Sequence, residues 1–212
     1  MNKKSLVYML VLVVLAAGIG WSLGASQYAK ELAKWKSEAL TAESELQNLK
    51  AIQQMPMMVE FNQTGGDTFN MTSAVASDGS VANTTTQTLA WDMYNSGNKT
   101  ETVQITLVDP VSGAKGLPDW LQNSYVQVYL TINGKQIFLF GYPIDGKPSG
   151  KFTNGTLVSL PPYSALSGSI SLTFVGGAPA GTFPKGKTDT ITLYIYDPVT
   201  HKEITAKYTV QT

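Results

Sequence analysis

The hydrophobic and polar positions along this chain follow three successive patterns. From Ser5 to Gly24 about twenty residues carry no charge, roughly the number that a helix needs to cross the ~30 Å hydrocarbon core of a membrane. From 25 to about 56, apolar residues recur at helical spacing, and from about 57 onward apolar and polar residues alternate as in β-strands. The pattern therefore predicts a membrane helix at 1–24, a helical stalk at 25–56 and a β domain at 57–212.

The residues that flank the apolar run predict its orientation. Lys3 and Lys4 precede it, and Trp21 falls near its other end. Lysines favour the cytoplasmic side and amphipathic aromatic rings favour the membrane boundary. We therefore expect a single-pass protein of the cell membrane, with a cytoplasmic N-terminus and an extracellular C-terminal domain.

Small residues at the end of the apolar run allow two interpretations. Ala16, Gly20 and Gly24 are spaced four apart, so on a helix they form a face that lets two membrane helices approach closely. Ser22 and Gly24 also satisfy the small-x-small rule for cleavage of a secretory signal. The run is longer than the ~7–15 residues of a signal core, which favours a retained anchor, and cleavage after Gly24 remains the alternative.

The stretch from 26 to 54 contains no Gly or Pro and is rich in Ala, Leu, Glu, Lys and Gln, all good helix formers. Apolar residues alternate at spacings of three and four, which is the a/d seam of a short coiled coil. The seam consists of Leu32, Trp35, Ala39, Ala42, Leu46 and Leu49. An amphipathic helix packed on the protein's own β domain is the alternative. Met55-Pro56 predicts the end of the helix, because the residue before proline disfavours helical geometry.

The third part has period-two alternation in segments bounded by Gly, Pro, Asn or Asp. The inward-facing residues are predicted as Leu89, Trp91 and Met93, then Val103, Ile105 and Leu107, then Ile170, Leu172 and Phe174, and then Ile191, Leu193 and Ile195, followed by a last strand in EITAKYTVQT. About eight or nine short strands at this spacing predict an immunoglobulin-like antiparallel β-sandwich. A parallel βαβ arrangement is disfavoured, because the helix precedes the strands instead of alternating with them.

The clearest hairpin is SYVQVYLTINGKQIFLFGYP, since Asn133-Gly134 suits a two-residue type I′ turn. Its register pairs the inward aliphatic residues and leaves an aromatic second face, where a half-buried strand should be polar. That face comprises Tyr125, Tyr129, Phe138, Phe140 and Tyr142. Either the segment VSGAKGLPDWLQN covers it, through Trp120, or it is a contact surface for a partner.

Five Asn-x-Ser/Thr sequons occur in the exported part of the chain. Their asparagines are Asn62, Asn70, Asn83, Asn98 and Asn154. One such motif arises easily by chance, but five in an exported domain predict that some carry N-linked glycans on the surface.

Composition narrows the chemistry further. Lys plus Arg and Asp plus Glu balance at 15 each, so no basic surface for nucleic acid is predicted. Cysteine is absent, which excludes disulfides and thiolate metal sites. There is no phosphate loop, HExxH, GxSxG or calcium-loop spacing, and the single histidine, His201, lies in a predicted turn. We expect no enzyme, cofactor or metal.

The stretch WDMYNSGNKTETVQITLVDP resembles a strand–Asn-x-Gly–strand unit of immunoglobulin-like domains on prokaryotic, especially archaeal, cell surfaces. The layout of the whole chain is also similar to archaeal pilin-like proteins and archaellum stator subunits, which join an N-terminal apolar helix to an extracellular β-sandwich. The resemblance implies a structural or adhesive role without a cofactor. One difference is that prepilin sites place Gly or Ala before the cut, whereas Lys4 precedes Ser5 here.

These patterns lead to a functional hypothesis with two alternatives. The leading one is a membrane-anchored extracellular glycoprotein that tethers or builds a surface layer or filament. Its partners would be the lipid bilayer, further copies of the chain or other cell-surface proteins. The alternatives are a secreted filament subunit that has lost its leader, and a carbohydrate- or ligand-binding adhesion module that uses the aromatic face.

Overall fold

The structure is a computed structural model that describes residues 25–147 and 149–212. It divides into two compact units, one ending at Gln54 and the other beginning at Met55, and each is considered by itself. The predicted membrane helix, with Ala16, Gly20 and Gly24, lies outside the described residues.

In its described residues the first unit is a helix, α1, which spans Ala25–Gln54. It ends immediately before Met55-Pro56, so the predicted stop is confirmed. The structure thus shows a helix of 30 residues over the predicted stalk, while the transmembrane part that we predicted before it lies outside the described residues. Among the described residues, no helix is both long enough and apolar enough to span a membrane.

The second unit is mainly β, with ten strands in two five-stranded sheets. The strands are β1 (Val59–Asn62), β2 (Thr68–Asn70), β3 (Thr85–Asn95), β4 (Glu101–Thr106), β5 (Val126–Ile132), β6 (Lys135–Phe140), β7 (Thr156–Leu160), β8 (Ala165–Phe174), β9 (Thr188–Asp197) and β10 (Lys202–Gln211). The first sheet has the order β1-β3-β8-β5-β6 and the second β2-β10-β9-β4-β7. All pairs are antiparallel except β2 with β10.

The two sheets share one hydrophobic core, as expected for a β-sandwich. Eleven of the twelve predicted inward residues are buried, and the twelfth, Leu89, is half-buried and packs against the same core. The alternation therefore predicted the inward faces correctly, because each strand buries one face.

Trp91 and Gly168 illustrate how tightly this core is packed. They lie opposite each other on β3 and β8, and Trp91 is fully buried. A Cβ at position 168 would lie 2.3 Å from Trp91 Cζ2. Position 168 is therefore glycine because the indole occupies the space of a side chain.

The β5–β6 hairpin forms at the predicted Asn133-Gly134 turn, but its register shifts between Val128 and Tyr129. Val128 consequently pairs with Phe140 instead of Leu139. A β-bulge of this kind sets two residues of one strand against one of its partner, and both Leu139 and Phe140 are fully buried. The prediction that Phe140 lies on the aromatic outer face is therefore wrong.

Candidate functional site

The outer face of the first sheet carries hydroxyl and aromatic side chains in its centre. We call it the hydroxyl–aromatic face and define it as Thr86, Thr88, Tyr129, Phe138, Ser169, Ser171 and Thr173. These residues alternate with the core residues of β3, β5, β6 and β8, which places them on the opposite side of the sheet. None of them is an acid or a base.

Hydrogen bonds between neighbouring strands fix this face. Thr86 Oγ1 lies 2.7 Å from Thr173 Oγ1, and Thr88 Oγ1 lies 2.8 Å from Ser171 Oγ. Ser171 and Thr173 are almost fully buried although they point away from the core. Four hydroxyls of the face are thus engaged in pairs, which limits their capacity to bind a ligand.

The structure brings together only part of the predicted aromatic surface. The rings of Tyr129 and Phe138 lie with centroids 5.5 Å apart at 53°, and both side chains are half-buried. Tyr125 packs against the core instead, and Tyr142 follows the end of β6. Of the five predicted residues, Tyr129 and Phe138 therefore form a ring pair on the outer face, and the five do not form one platform.

The segment that was predicted to cover the aromatic face lies against the second sheet. The Thr192 N–H donates to Gly116 O (2.7 Å), and Trp120 Nε1 donates to Asp189 Oδ2 (3.0 Å). Both partners belong to β9. Trp120 therefore closes an end of the sandwich beside the second sheet, while Tyr129 and Phe138 belong to the first.

A shallow depression of about 740 Å³ surrounds Trp120. Lys187 Nζ lies 5.5 Å from the centroid of its ring and 3.9 Å from Asp189 Oδ2. The side chain of Gln122 donates from Nε2 to Leu117 O (2.7 Å). Its Oε1 accepts from Lys115 Nζ (3.2 Å). The polar groups around Trp120 are thus bonded to one another. These bonds hold the loop in place and leave few free groups for a ligand. No sequence pattern indicated this depression, because Trp120 and Asp189 are 69 residues apart.

Carboxyl groups meet in pairs on the second sheet. Burial, and secondarily the Asp109 charge, raise the pKa of Glu203. Burial and the Asp197 charge raise the pKa of Glu101. Within the described residues no three potential ligands converge on a metal position. These pairs therefore perturb local titration, without the geometry of a cation site.

All five sequon asparagines are exposed in the folded β unit. They lie at strand ends or in connections. Asn70 is held in a local turn, in which its Oδ1 accepts hydrogen bonds from the Thr72 N–H (3.2 Å) and hydroxyl (2.6 Å). This arrangement uses the amide oxygen and not the nitrogen that would carry a glycan. The folded surface is thus compatible with modification at every sequon.

Sequence reasoning did not single out Asn95, the last residue of β3, which is fully buried. Its Nδ2 donates to the carbonyls of Lys99 (2.8 Å), Leu160 (2.9 Å) and Pro161 (3.0 Å). Its Oδ1 accepts from the Gly97 N–H (2.9 Å). One side chain thereby ties the β3–β4 loop to the end of β7 in the other sheet. The signal was the Asn-x-Gly of YNSGN, which Oδ1 closes as a turn.

Comparison with known proteins leaves the family open. No protein-family model matches the chain, and no curated protein matches it in sequence. Similar solved structures include a FixG-related protein from Vibrio parahaemolyticus (TM-score 0.34, 10% identity, 73% of this chain and 94% of that one). They also include the CooA pilin subunit of enterotoxigenic Escherichia coli (0.33, 12%, 72% and 95%). A family 123 glycoside hydrolase from Clostridium perfringens is similar as well (0.37, 10%, 73% and 27%). At these scores the likenesses carry no argument about function.

Proposed function

We propose that the protein is a membrane-anchored extracellular structural glycoprotein that tethers or builds a cell-surface assembly, either a surface layer or a filament. The observation that carries the proposal is the exposure of all five sequon asparagines on the folded β unit. Glycans attached there would project into solvent and add hydration.

The proposed parts divide the work physically. The apolar run from Ser5 to Gly24 would hold one end in lipid. The 30 residues of α1 would set a spacing of about 45 Å at ~1.5 Å per residue. The immunoglobulin-like sandwich would meet its partner through a surface that is rich in hydroxyl groups and poor in charge.

Intact-mass measurement on protein from native membranes tests the anchor and the glycans together. The unmodified chain has a mass of 22.8 kDa. The proposal expects a mass above this value, with residues 1–24 retained and hexose-containing peptides around the sequons. Loss of the first 24 residues would instead support the secreted filament subunit. A chain that carries no glycan at any of the five asparagines would overturn the glycoprotein proposal.

Cross-linking on intact cells tests the assembly role. Short amine-reactive cross-linkers, followed by identification of the linked peptides, should connect the β unit to further copies or to another surface protein. A β unit that is linked to nothing at native expression would contradict a structural role.

A carbohydrate-binding module is the second candidate, and the half-exposed pair Tyr129 and Phe138 favours it. Aromatic rings can stack on the apolar faces of sugars, so the double substitution Tyr129→Ser with Phe138→Ser should abolish retention on a glycan array. Tyr163→Ser is the matched control, because Tyr163 is 65% exposed and lies outside this face. If the double variant behaves like the control in both glycan binding and assembly, the pair only packs locally.

A further inference from the structure

Helix α1 carries a regular order of charges on both flanks of its apolar seam. In heptad notation the first seam residues (a) are Leu32, Ala39 and Leu46, and the second (d) are Trp35, Ala42 and Leu49. The positions just before each a residue (g) are Glu31, Glu38 and Glu45. The positions just after each d residue (e) are Lys36, Glu43 and Lys50.

The seam of α1 is exposed along the whole described helix. Leu32 is 41% exposed, Trp35 48%, Leu46 48% and Leu49 58%. Leu40, which lies off this stripe, is exposed as well, so the spacing of the four large seam residues, and not their exposure, indicates the helix–helix contact.

We propose that α1 associates with the same helix of a second copy of the chain, in parallel and in register. In a parallel coiled coil each g residue faces the e residue five positions further along the other helix. Glu31 would then face Lys36, and Glu45 would face Lys50. Each attraction occurs twice in a two-fold pair, because a homodimer repeats its contacts.

The antiparallel alternative places g positions opposite g positions. In this chain all three g residues are glutamates, so that arrangement sets like charges against one another. The flanking charges therefore select the parallel orientation, and the second copy is the partner whose charges are complementary.

One pair in the parallel arrangement is repulsive, since Glu38 would face Glu43. Lys34 Nζ lies 3.9 Å from Glu38 Oε1 within the same helix, which offsets part of that repulsion. The central seam residues are also the small Ala39 and Ala42. The middle of the pair is thus the weakest part, and the ends provide the apolar contacts.

Disulfide trapping tests the orientation cleanly, because the chain contains no cysteine. In full-length protein in its membrane, the single variant Leu49→Cys should form a covalent dimer on mild oxidation. In an antiparallel pair, Leu49 of one copy would lie opposite Leu32 and about 25 Å from Leu49 of the other, at ~1.5 Å per residue. Gln47→Cys is the matched control on the outward side of the helix and should stay monomeric.

Three results of this experiment would overturn the proposal. They are equal cross-linking of Leu49→Cys and Gln47→Cys, no cross-linking of either, and cross-linking of Leu49→Cys only with a Leu32→Cys chain. Unchanged cooperative unfolding of the β unit shows in each case that the variants are folded.

Charge variants test the register independently. Glu43→Lys converts the repulsive pair into an attractive one, so it should tighten self-association in detergent solution several-fold. Ser44→Lys places a positive charge one residue away, outside the flanks, and should not. The double variant Lys36→Glu with Lys50→Glu should weaken association about tenfold or more, whereas Lys30→Glu with Lys34→Glu should weaken it less. If a variant and its control changed self-association equally in either comparison, the proposed register would be contradicted.

This inference deepens the proposed assembly role by naming a second copy as the partner. It rests on the proposed function only in that α1 acts as a spacer. Its outcome is separable, because dimers trapped through Leu49→Cys do not depend on whether residues 1–24 or the glycans are retained.

Discussion

Replacing Asn95 with alanine removes one buried side chain that joins parts of both sheets. The two N–H groups of its Nδ2 are shared among three carbonyls, and its Oδ1 accepts from one N–H. Two of these four bonds, to Leu160 O and from the Gly97 N–H, are fully buried. Water can replace the amide at the carbonyls of Lys99 and Pro161, which are only partly buried. It has poor access to Leu160 O and to the Gly97 N–H.

The expected loss of stability follows from that count. A buried polar group left without a partner costs about 1–3 kcal/mol, and the partly buried bonds add less. We therefore expect Asn95→Ala to lower the free energy of unfolding by about 3 kcal/mol. For a unit of this size that corresponds to a decrease in Tm of roughly 6–12 °C.

The aspartate variant separates hydrogen bonding from packing. Asn95→Asp keeps the shape of the side chain but replaces the donating nitrogen with an oxygen that faces three carbonyl oxygens. It should therefore destabilise the β unit at least as much as alanine does. Asn98→Ala is the matched control, because Asn98 is exposed in the same loop and should change stability by less than about 0.5 kcal/mol.

Urea unfolding followed by tryptophan fluorescence provides the measurement, since Trp91 is fully buried and reports on the sandwich. Two outcomes would refute the reasoning. One is an Asn95→Ala variant within about 1 kcal/mol of the wild type. The other is an Asn95→Asp variant that is as stable as the wild type, which would assign Asn95 a packing role only.

Two further predictions concern glycine and tyrosine. Gly155→Ala should destabilise the β unit far more than Gly134→Ala in thermal unfolding. Both glycines have positive φ, but a Cβ at position 155 would clash with Ile105 O, whereas the space at position 134 is open. Equal losses of stability would contradict this explanation. Tyr208→Phe should leave stability at pH 7 unchanged or raise it by about 1 kcal/mol in urea titration. The buried hydroxyl makes no hydrogen bond within the described residues, since the neighbouring Gln63 amide donates to Lys207 O instead. Burial raises the pKa of Tyr208, so the wild type should lose stability above pH ~10. The phenylalanine variant should lose less stability there. Parallel curves of stability against pH for the two proteins would refute this explanation.

Alternation predicted the inward faces of the strands because burial of one face imposes a period of two, whichever strand lies alongside. The same logic failed at β6. The bulge opposite Val128 is accompanied by contacts from a distant segment, in which Phe140 forms an isolated bridge with Phe152. No pattern within β6 itself records that contact.

The missed strands share a different cause. β1, β2 and β7 have four, three and five residues, too few for alternation to be recognised. They lie at the outer positions of the sheets. Short edge strands also help sandwiches to avoid pairing with other chains. The sequence pattern is therefore weakest at the sheet edges, where the strands are shortest.

The low charge content of the sequence has a structural counterpart in the sandwich. Outward positions of β8 that could carry lysine or glutamate carry Ser169, Ser171 and Thr173 instead, and two of these hydroxyls pair with threonines of β3. In the described part of the β unit, Lys187 and Asp189 form one ion pair, which is exposed and 3.9 Å long. Exposed pairs contribute little, so salt should change the stability of the sandwich only slightly.

The carboxyl groups that do shift act in opposite directions. Hydrogen bonds from Ser80 and Ser112 lower the pKa of Asp78 and Asp109, and this stabilisation is lost as the pH falls. The pKa values of Glu101 and Glu203 are raised, so the cost of their burial is relieved as the pH falls. The two contributions act in different pH ranges, because the glutamates protonate above their usual pKa and the aspartates below theirs. On acidification the stability should therefore first rise and then fall. A surface built from hydroxyl pairs instead of ion pairs should therefore make the stability of the β unit depend little on salt.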